Sequence, residues 1–146
     1  MADFMTALDI AASGLSTERT SMNVISMNLA NVKTTRTPEG GPYRRRSVVR
    51  ASTDVDSPFS KVMQDAMTRE LQGSRVLGIA EDSRPLKRVF EPGHPDADEQ
   101  GYVSYPDINV VEEMTHMLTA TRAYEAGVTS IQSVKGMFNK ALEIGR

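Results

Sequence analysis

The sequence predicts a mainly α protein, in which long N- and C-terminal helices pair in a coiled-coil-like bundle and a small irregular or β-hairpin module lies between them. Three observations predict this. Near the start, Phe4, Leu8, Ala11, Leu15, Glu18, Met22, Ile25, Leu29 and Val32 alternate at spacings of four and three, with eight of nine apolar. Near the end, Val110, Met114, Met117, Thr121, Tyr124, Val128, Ile131, Lys135, Phe138 and Leu142 repeat the pattern, with eight of ten apolar. The chain between them lacks it. A repeat averaging about 3.5 residues is that of a helix presenting one narrow stripe to another helix. The expected division is a helical domain of residues 1–33 and 107–146 and a middle module of residues 34–106.

In chain order, the first helix is expected to begin near Asp3, whose carboxylate accepts free amide hydrogens and suits the positive end of the helix dipole. Gly14 inside it costs about 1 kcal/mol relative to alanine and leaves room for a neighbouring helix. The helix should stop between Asn31 and Lys33, because asparagine tolerates the left-handed terminal conformation and Thr34 to Pro42 is loop chemistry. Tyr43 to Ala51 reads as a polar strand carrying Arg44, Arg45, Arg46 and Arg50. Phe59, Met63, Met67 and Leu71 stand at helical spacing within an ambiguous stretch. Arg75 to Glu81 and Leu86 to Glu91 read as strands joined by a tight turn at Asp82-Ser83-Arg84-Pro85. Pro106-Asp107 signals the start of the second helix, with Asp107 as cap and Glu112 and Glu113 in its early turns.

Composition narrows the function. The 146 residues carry a net charge of −2, split as 7 basic against 4 acidic in the first fifty and 10 against 15 in the rest. Nucleic-acid binders usually carry a basic excess, so no nucleic-acid partner is expected. With no cysteine, disulfides, thiol catalysis and thiolate metal sites are excluded. No apolar run approaches the ~20 residues of a membrane span. The start Met1-Ala2-Asp3-Phe4 lacks a basic region followed by an apolar core, so no cleaved secretory signal is expected.

No catalytic constellation stands out, and no cofactor is expected. There is no nucleophile elbow, P-loop or dinucleotide fingerprint. Asp96 to Asp107 loosely resembles a calcium loop, yet its fifth position is Gln100 and its twelfth is Asp107 where a bidentate glutamate belongs. A helical adaptor switched by calcium through 96–107 is the alternative reading; a solvated acidic turn is the simpler one. His94 and His116 are far apart with no ligand-spaced companion, so no metal site is expected.

Several blocks carry a family resemblance. Leu8-Asp9-Ile10-Ala11-Ala12-Ser13-Gly14-Leu15, Arg19-Thr20, Met22-Asn23-Val24-Ile25, Asn28-Leu29-Ala30-Asn31 and Thr34-Thr35 resemble the N-terminal signature of the bacterial flagellar rod and hook proteins. Gly40-Gly41-Pro42-Tyr43-Arg44-Arg45, Glu91-Pro92-Gly93-His94-Pro95-Asp96-Ala97-Asp98 and Gly101-Tyr102-Val103 resemble the central blocks of the proximal rod members. Val110-Val111-Glu112-Glu113-Met114 and Ala123-Tyr124-Glu125-Ala126 complete it at the C-terminal end.

The resemblance implies a structural, non-enzymatic subunit of the flagellar basal-body rod, the shaft between motor and hook. Its implied partners are other rod subunits, copies of itself and the flagellar type III export apparatus, which passes such chains to the periplasmic rod without signal cleavage. The seam residues Leu8, Leu15, Met22, Ile25, Leu29, Val110, Met114, Met117, Tyr124, Val128, Ile131, Phe138 and Leu142 are then expected to pack between subunits. Glu18, Thr121 and Lys135 would fix register as polar seam positions do. Arg44, Arg45 and Arg46 would meet Asp96 and Asp98 of a neighbour, steering docking more than adding affinity. A stripe this narrow holds weakly without neighbours, so partial disorder of the helices before assembly is expected.

Overall fold

The computed structural model of the chain describes residues 2–54 and 72–144. Two long helices frame four strands: α1 (Ala2–Ala30), β1 (Arg46–Asp54), β2 (Gln72–Glu81), β3 (Lys87–Phe90), β4 (Tyr102–Tyr105) and α2 (Val110–Ile144). The ambiguous stretch carrying Phe59, Met63, Met67 and Leu71 falls outside the described residues.

The helix ends depart instructively from expectation. α1 stops at Ala30, but no described residue other than glycine has a positive φ. Asn31 therefore terminates the helix without the left-handed conformation. Its backbone N–H and its side-chain Nδ2 both donate to the Met27 carbonyl, at 3.1 and 2.9 Å. The side chain thus adds a second donor to a carbonyl already bonded by the backbone, reinforcing the last turn. At α2 the cap is Asn109 and not Asp107. The Asn109 Oδ1 accepts from the backbone N–H of Val111 at 3.1 Å, and its carbonyl accepts the first helical bond from Glu113 at 3.0 Å. Asp107, two residues too early, lies 3.5 Å from Arg84 Nη1.

The strands also pair differently from expectation. β2 does not form a hairpin with β3. It pairs antiparallel with β1, from Arg46 opposite Glu81 to Asp54 opposite Gln72. Val49 faces Gly78 and Arg50 faces Val76, so Leu77 is the extra residue of a bulge. β3 instead pairs with β4, Lys87 opposite Tyr105 and Phe90 opposite Tyr102. The Asp82 turn does form, with Oδ1 accepting from the Arg84 N–H at 3.0 Å. It redirects the chain between two separate two-stranded sheets. The turn signal was real, but its partner strand is set by long-range pairing.

α1 is the centre of the molecule, with the β1–β2 ribbon packed on one side and α2 on the other. The helices run antiparallel, because Leu15 meets Gly127, Met22 meets Thr121 and Asn28 meets Glu113. A Cβ on Gly127 would stand 2.8 Å from Leu15 Cδ2, so the missing side chain permits the close approach there. A Cβ on Gly14 would meet nothing within 4 Å. Within this chain the close contact therefore belongs to α2's glycine and not to Gly14.

The other face of α1 is polar. Thr17, Ser21 and Asn28 are buried beside Val24, at spacings that place them on one side of the helix. Ser13 Oγ accepts from the Ser74 N–H at 3.1 Å, and Thr17 Oγ1 donates to the Ser74 carbonyl at 3.3 Å. The two hydroxyls thus complete the hydrogen bonding of a β2 residue at the edge of the ribbon. Glu18 points to this side as well, pairing with Arg50 Nη1 at 2.5 Å, while Arg50 Nη2 donates to Ser21 Oγ at 2.9 Å. Glu18 is a ribbon contact and not a polar member of the α1–α2 seam.

Candidate functional site

The most constrained point of the chain is a buried polar clasp where the end of α1, the entry to β1 and the start of α2 meet. Sequence builds it in three steps. Asn28 stands in the last turn of α1. The loop after α1 folds back through Gly40 and Gly41, whose φ values of +92° and +77° suit glycine. The Tyr43 N–H then donates to the Thr34 carbonyl at 3.1 Å, returning Tyr43 and Arg45 to the helix. Finally, the Asn109 cap starts α2 so that Glu113 falls one turn in, facing α1.

All the hydrogen-bonding capacity of Asn28 is used. Its Nδ2 donates to the Arg46 carbonyl at 2.8 Å and to Glu113 Oε2 at 3.0 Å. Its Oδ1 accepts from the Arg46 N–H at 2.9 Å and the Tyr43 hydroxyl at 3.0 Å. A side-chain amide thereby completes the edge of β1 much as a neighbouring strand would. Glu113, only 1% exposed, accepts on Oε1 from Arg45 Nε at 2.8 Å, and Arg45 Nη2 forms an ion pair with the same oxygen at 2.6 Å. His116 Nδ1 stands 3.8 Å from the same oxygen. Burial pushes the Tyr43 phenol above its ordinary pKa, partly opposed by the nearby Arg46 guanidinium. Arg46 also lies 5.6 Å over the Tyr43 ring. Among the described residues, no buried side-chain nitrogen or oxygen lacks a partner.

This arrangement holds elements together and offers nothing to a substrate. Among the described residues no three acidic, histidine or cysteine side chains are grouped to hold a metal ion. In the acidic loop, Asp96 and Asp98 are engaged by groups of the chain itself. Asp98 Oδ1 accepts from the N–H groups of Tyr102 and Gln100 at 2.8 and 2.9 Å, and Oδ2 takes Arg88 Nη2 at 2.6 Å. Those bonds, led by the Tyr102 amide, hold the Asp98 carboxyl below its ordinary pKa. Asp96 Oδ2 accepts from Thr35 Oγ1 at 2.8 Å. Nothing in this geometry supports a calcium switch.

The structure distributes the sequence-derived residues as follows. Ile25 is buried, and Leu8, Leu15, Met22, Leu29, Met117, Tyr124, Val128, Ile131 and Phe138 are half-buried. Val110, Met114 and Leu142 face outward, 41, 59 and 57% exposed. Thr121 Oγ1 lies in the α1–α2 contact, 3.6 Å from Met22 Sδ; Lys135 is exposed. Of the three arginines, Arg45 pairs with Glu113, Arg46 pairs with Glu81 at 3.1 Å, and Arg44 Nη1 reaches the Asp82 carbonyl at 3.3 Å. Within one chain none of them meets Asp96 or Asp98.

Sequence reasoning passed over Asn28, Tyr43 and Glu113 as a group. The available signal was polarity in phase with burial: Ser13, Thr17, Ser21 and Asn28 share one helix face, and Glu113 stands four residues before Met117 on the inward row of α2. Notably, the clasp residues come from three of the blocks that carry the family resemblance.

Comparison with known proteins places these blocks. Residues 8–36 match the family described as flagella basal body rod protein, and residues 99–144 match the flagellar basal body rod FlgEFG protein C-terminal family. Asn28 lies in the first match and Glu113 in the second. The flagellar basal-body rod protein FlgC of Borreliella burgdorferi is 45% identical to this chain, covering 94% of it and 95% of that relative. The FlgC proteins of Bacillus subtilis and Salmonella typhimurium are 39 and 37% identical, over 96 and 94% of the chain and 97 and 95% of their own lengths. The chain belongs to the FlgC family of bacterial flagellar basal-body rod proteins, a family of structural subunits and not of enzymes.

Proposed function

We propose that this rod subunit occupies the proximal rod and passes torque from motor to hook through lateral contacts between helices of adjacent subunits. The observation that carries the reading is the apolar surface that a single chain leaves uncovered. Val111, Met114 and Leu118 follow one another at helical spacing on the outer face of α2, 73, 59 and 52% exposed. Leu142 and Ile144 at its far end are 57 and 87% exposed. An apolar row along a helix is the kind of surface that a neighbouring helix covers. In this reading the helices formed by 1–33 and 107–146 build the axial core through coiled-coil-like, knobs-into-holes packing, and 34–106 forms an outer module. The slender intrachain core suits passage through the flagellar type III export apparatus before neighbours complete it. Arg44, the exposed member of its basic run, steers docking toward acidic residues such as Asp96 of the next subunit.

Complementation of a flagellated strain deleted for this chain tests the proposal. Met114→Asp and Leu118→Asp leave the intrachain contacts in place, so the purified variants should keep the parent's circular dichroism and yet fail to restore rods or swimming. A deletion strain that retains rods, or aspartate variants that assemble like the parent, would refute it.

A further inference from the structure

We infer that Glu113 is the positioning residue of this subunit: its two carboxylate oxygens, one committed to Asn28 and one to Arg45, fix the register of α2 against α1 and β1. No uncharged isostere can replace it. The Arg46 N–H donates to Asn28 Oδ1 at 2.9 Å while the Arg46 carbonyl accepts from Nδ2 at 2.8 Å. Turning the amide over would set donor against donor and acceptor against acceptor, so its orientation is fixed. The second Nδ2 hydrogen must then point at α2, where Glu113 Oε2 receives it at 3.0 Å. From the other side comes Arg45, a donor only, placing Nε and Nη2 2.8 and 2.6 Å from Oε1.

Two donors held by two different elements thus converge on one side chain that is 1% exposed, where water cannot serve in its place. Glutamine would bring one acceptor and one donor. Whichever way its amide turned, its –NH₂ would face either the Asn28 nitrogen or the Arg45 guanidinium. A slip of α2 by one residue is equally excluded, since it would set Met114 or Glu112 where Glu113 stands. The thioether accepts only weakly, and Glu112 would arrive with the whole apolar row rotated about 100° out of place. A single buried polar group that fixes helix register is the best-attested use of such groups. Here the lock has a second consequence: α2 is registered only when the segment ending in Arg45 is in place, so loop closure and helix pairing are coupled. The orientation of the outer row Val111, Met114 and Leu118 follows from the same lock. Its importance for rod assembly rests on the function proposed above, whereas the measurement below does not.

The natural chain has no cysteine, so paired spin labels can be placed at will on the full-length protein. Arg122→Cys with Ala80→Cys spans from α2 to the ribbon, and Arg19→Cys with Ala80→Cys spans from α1 to the ribbon; all three positions are exposed. Double electron–electron resonance should give narrow distance distributions for both pairs in the parent. Adding Glu113→Gln should broaden the α2–ribbon distribution and leave the α1–ribbon one narrow, with amide exchange in the first three turns of α2 rising roughly tenfold. Adding Arg45→Met to Glu113→Gln should narrow it again, because the glutamine carbonyl is then free to face Asn28 alone. The inference is overturned if Glu113→Gln leaves both pairs narrow, if both broaden together, or if the second change gives no recovery. Should Glu113→Gln prevent folding, Arg45→Met alone decides: with the Glu113 charge left buried without its cation, the α2–ribbon distribution should broaden while the α1–ribbon one stays narrow, and two unchanged pairs would overturn the inference. Loss of swimming in a variant whose distances match the parent would count against the rod reading's view of this face and not against the lock.

Discussion

Replacing Asn28 by aspartate changes one nitrogen to oxygen and nothing in volume, yet it should be among the most damaging substitutions in the chain. Two donated bonds, to the Arg46 carbonyl at 2.8 Å and to Glu113 Oε2 at 3.0 Å, become contacts between acceptors. Each buried group so stranded costs about 1–3 kcal/mol. The new carboxylate also lies about 3 Å from a second one, a repulsion of about 5 kcal/mol at an effective dielectric near 20. Uptake of one proton by the pair limits that cost, leaving a net loss of about 3–5 kcal/mol at neutral pH. That is a large share of the roughly 5–15 kcal/mol by which domains are stable. The pH dependence carries the proof. Like charges raise the folded-state pKa of one carboxyl above its unfolded value. Such a group contributes stability below the unfolded pKa, lost as pH rises through the folded one, so the variant should regain stability as pH falls from 7 toward about 5. Urea unfolding followed by circular dichroism at both values measures it. A variant as stable as the parent at pH 7, or one with the same deficit at both, would refute the geometry of the clasp.

The helix seam makes a paired prediction. Gly127→Val should cost about 1–3 kcal/mol by overpacking against Leu15 and be partly relieved by Leu15→Ala, while Gly136→Ala, where a Cβ meets nothing within 4 Å, should gain about 0.5–1 kcal/mol; thermal unfolding compares them. Ser13→Ala removes the acceptor for the Ser74 N–H, so hydrogen exchange at that amide should accelerate by about fivefold or more, an energy near 1 kcal/mol. In the β3–β4 loop, a carbon-detected titration should find Asp98 below the roughly 3.9 of an ordinary aspartate. A carboxyl with a depressed folded pKa contributes stability above its unfolded value and loses it as pH falls through the folded one. Ordering of residues 98–102 should therefore persist at pH 5 and fail only in stronger acid; a midpoint at or above 3.9 would contradict the hydrogen bonds assigned to Asp98.

What the sequence discloses and what it conceals divide along physical lines. Both helices are legible because apolar spacing over many turns reports a buried face, and Met117, Tyr124, Ile131 and Phe138 do lie along the inward row of α2. Apolar spacing does not pick out which neighbouring residues face α1 within one chain. Apolar scoring selects Val110 and Met114, whereas the residues facing α1 are Glu113, Ala120 and Gly127, a charge and two small residues that no hydrophobic count rewards. The polar face of α1 escapes for a related reason: hydroxyls and an amide facing strand edges are buried as hydrogen-bonding groups and not as apolar surface. Strand pairing is a different difficulty. Closing a longer loop costs only logarithmically more, so local turn signals such as Asp82 to Pro85 cannot tell whether β2 turns back onto β3 or reaches upstream to β1.

The two sides of α1 then differ in kind, and the difference bears on how a subunit both holds its shape and joins others. Toward the ribbon, Ser13, Thr17, Asn28 and Glu18 make directional bonds to particular backbone groups and to Arg50. Directional contacts tolerate no sliding, because a shift of one residue strands every buried donor and acceptor at once. Toward α2 the contact is mostly apolar side chains and a glycine, which alone would permit neighbouring registers at modest cost. The clasp stands at the end of that permissive seam and supplies the directional bonds it lacks. Apolar surface, which is adhesive without being specific, is left on the outside of α2, where its alignment is inherited from the locked interior. A helix row so oriented can present the same face in every copy of the chain, and that uniformity is a physical requirement for repeated lateral contacts along a rod.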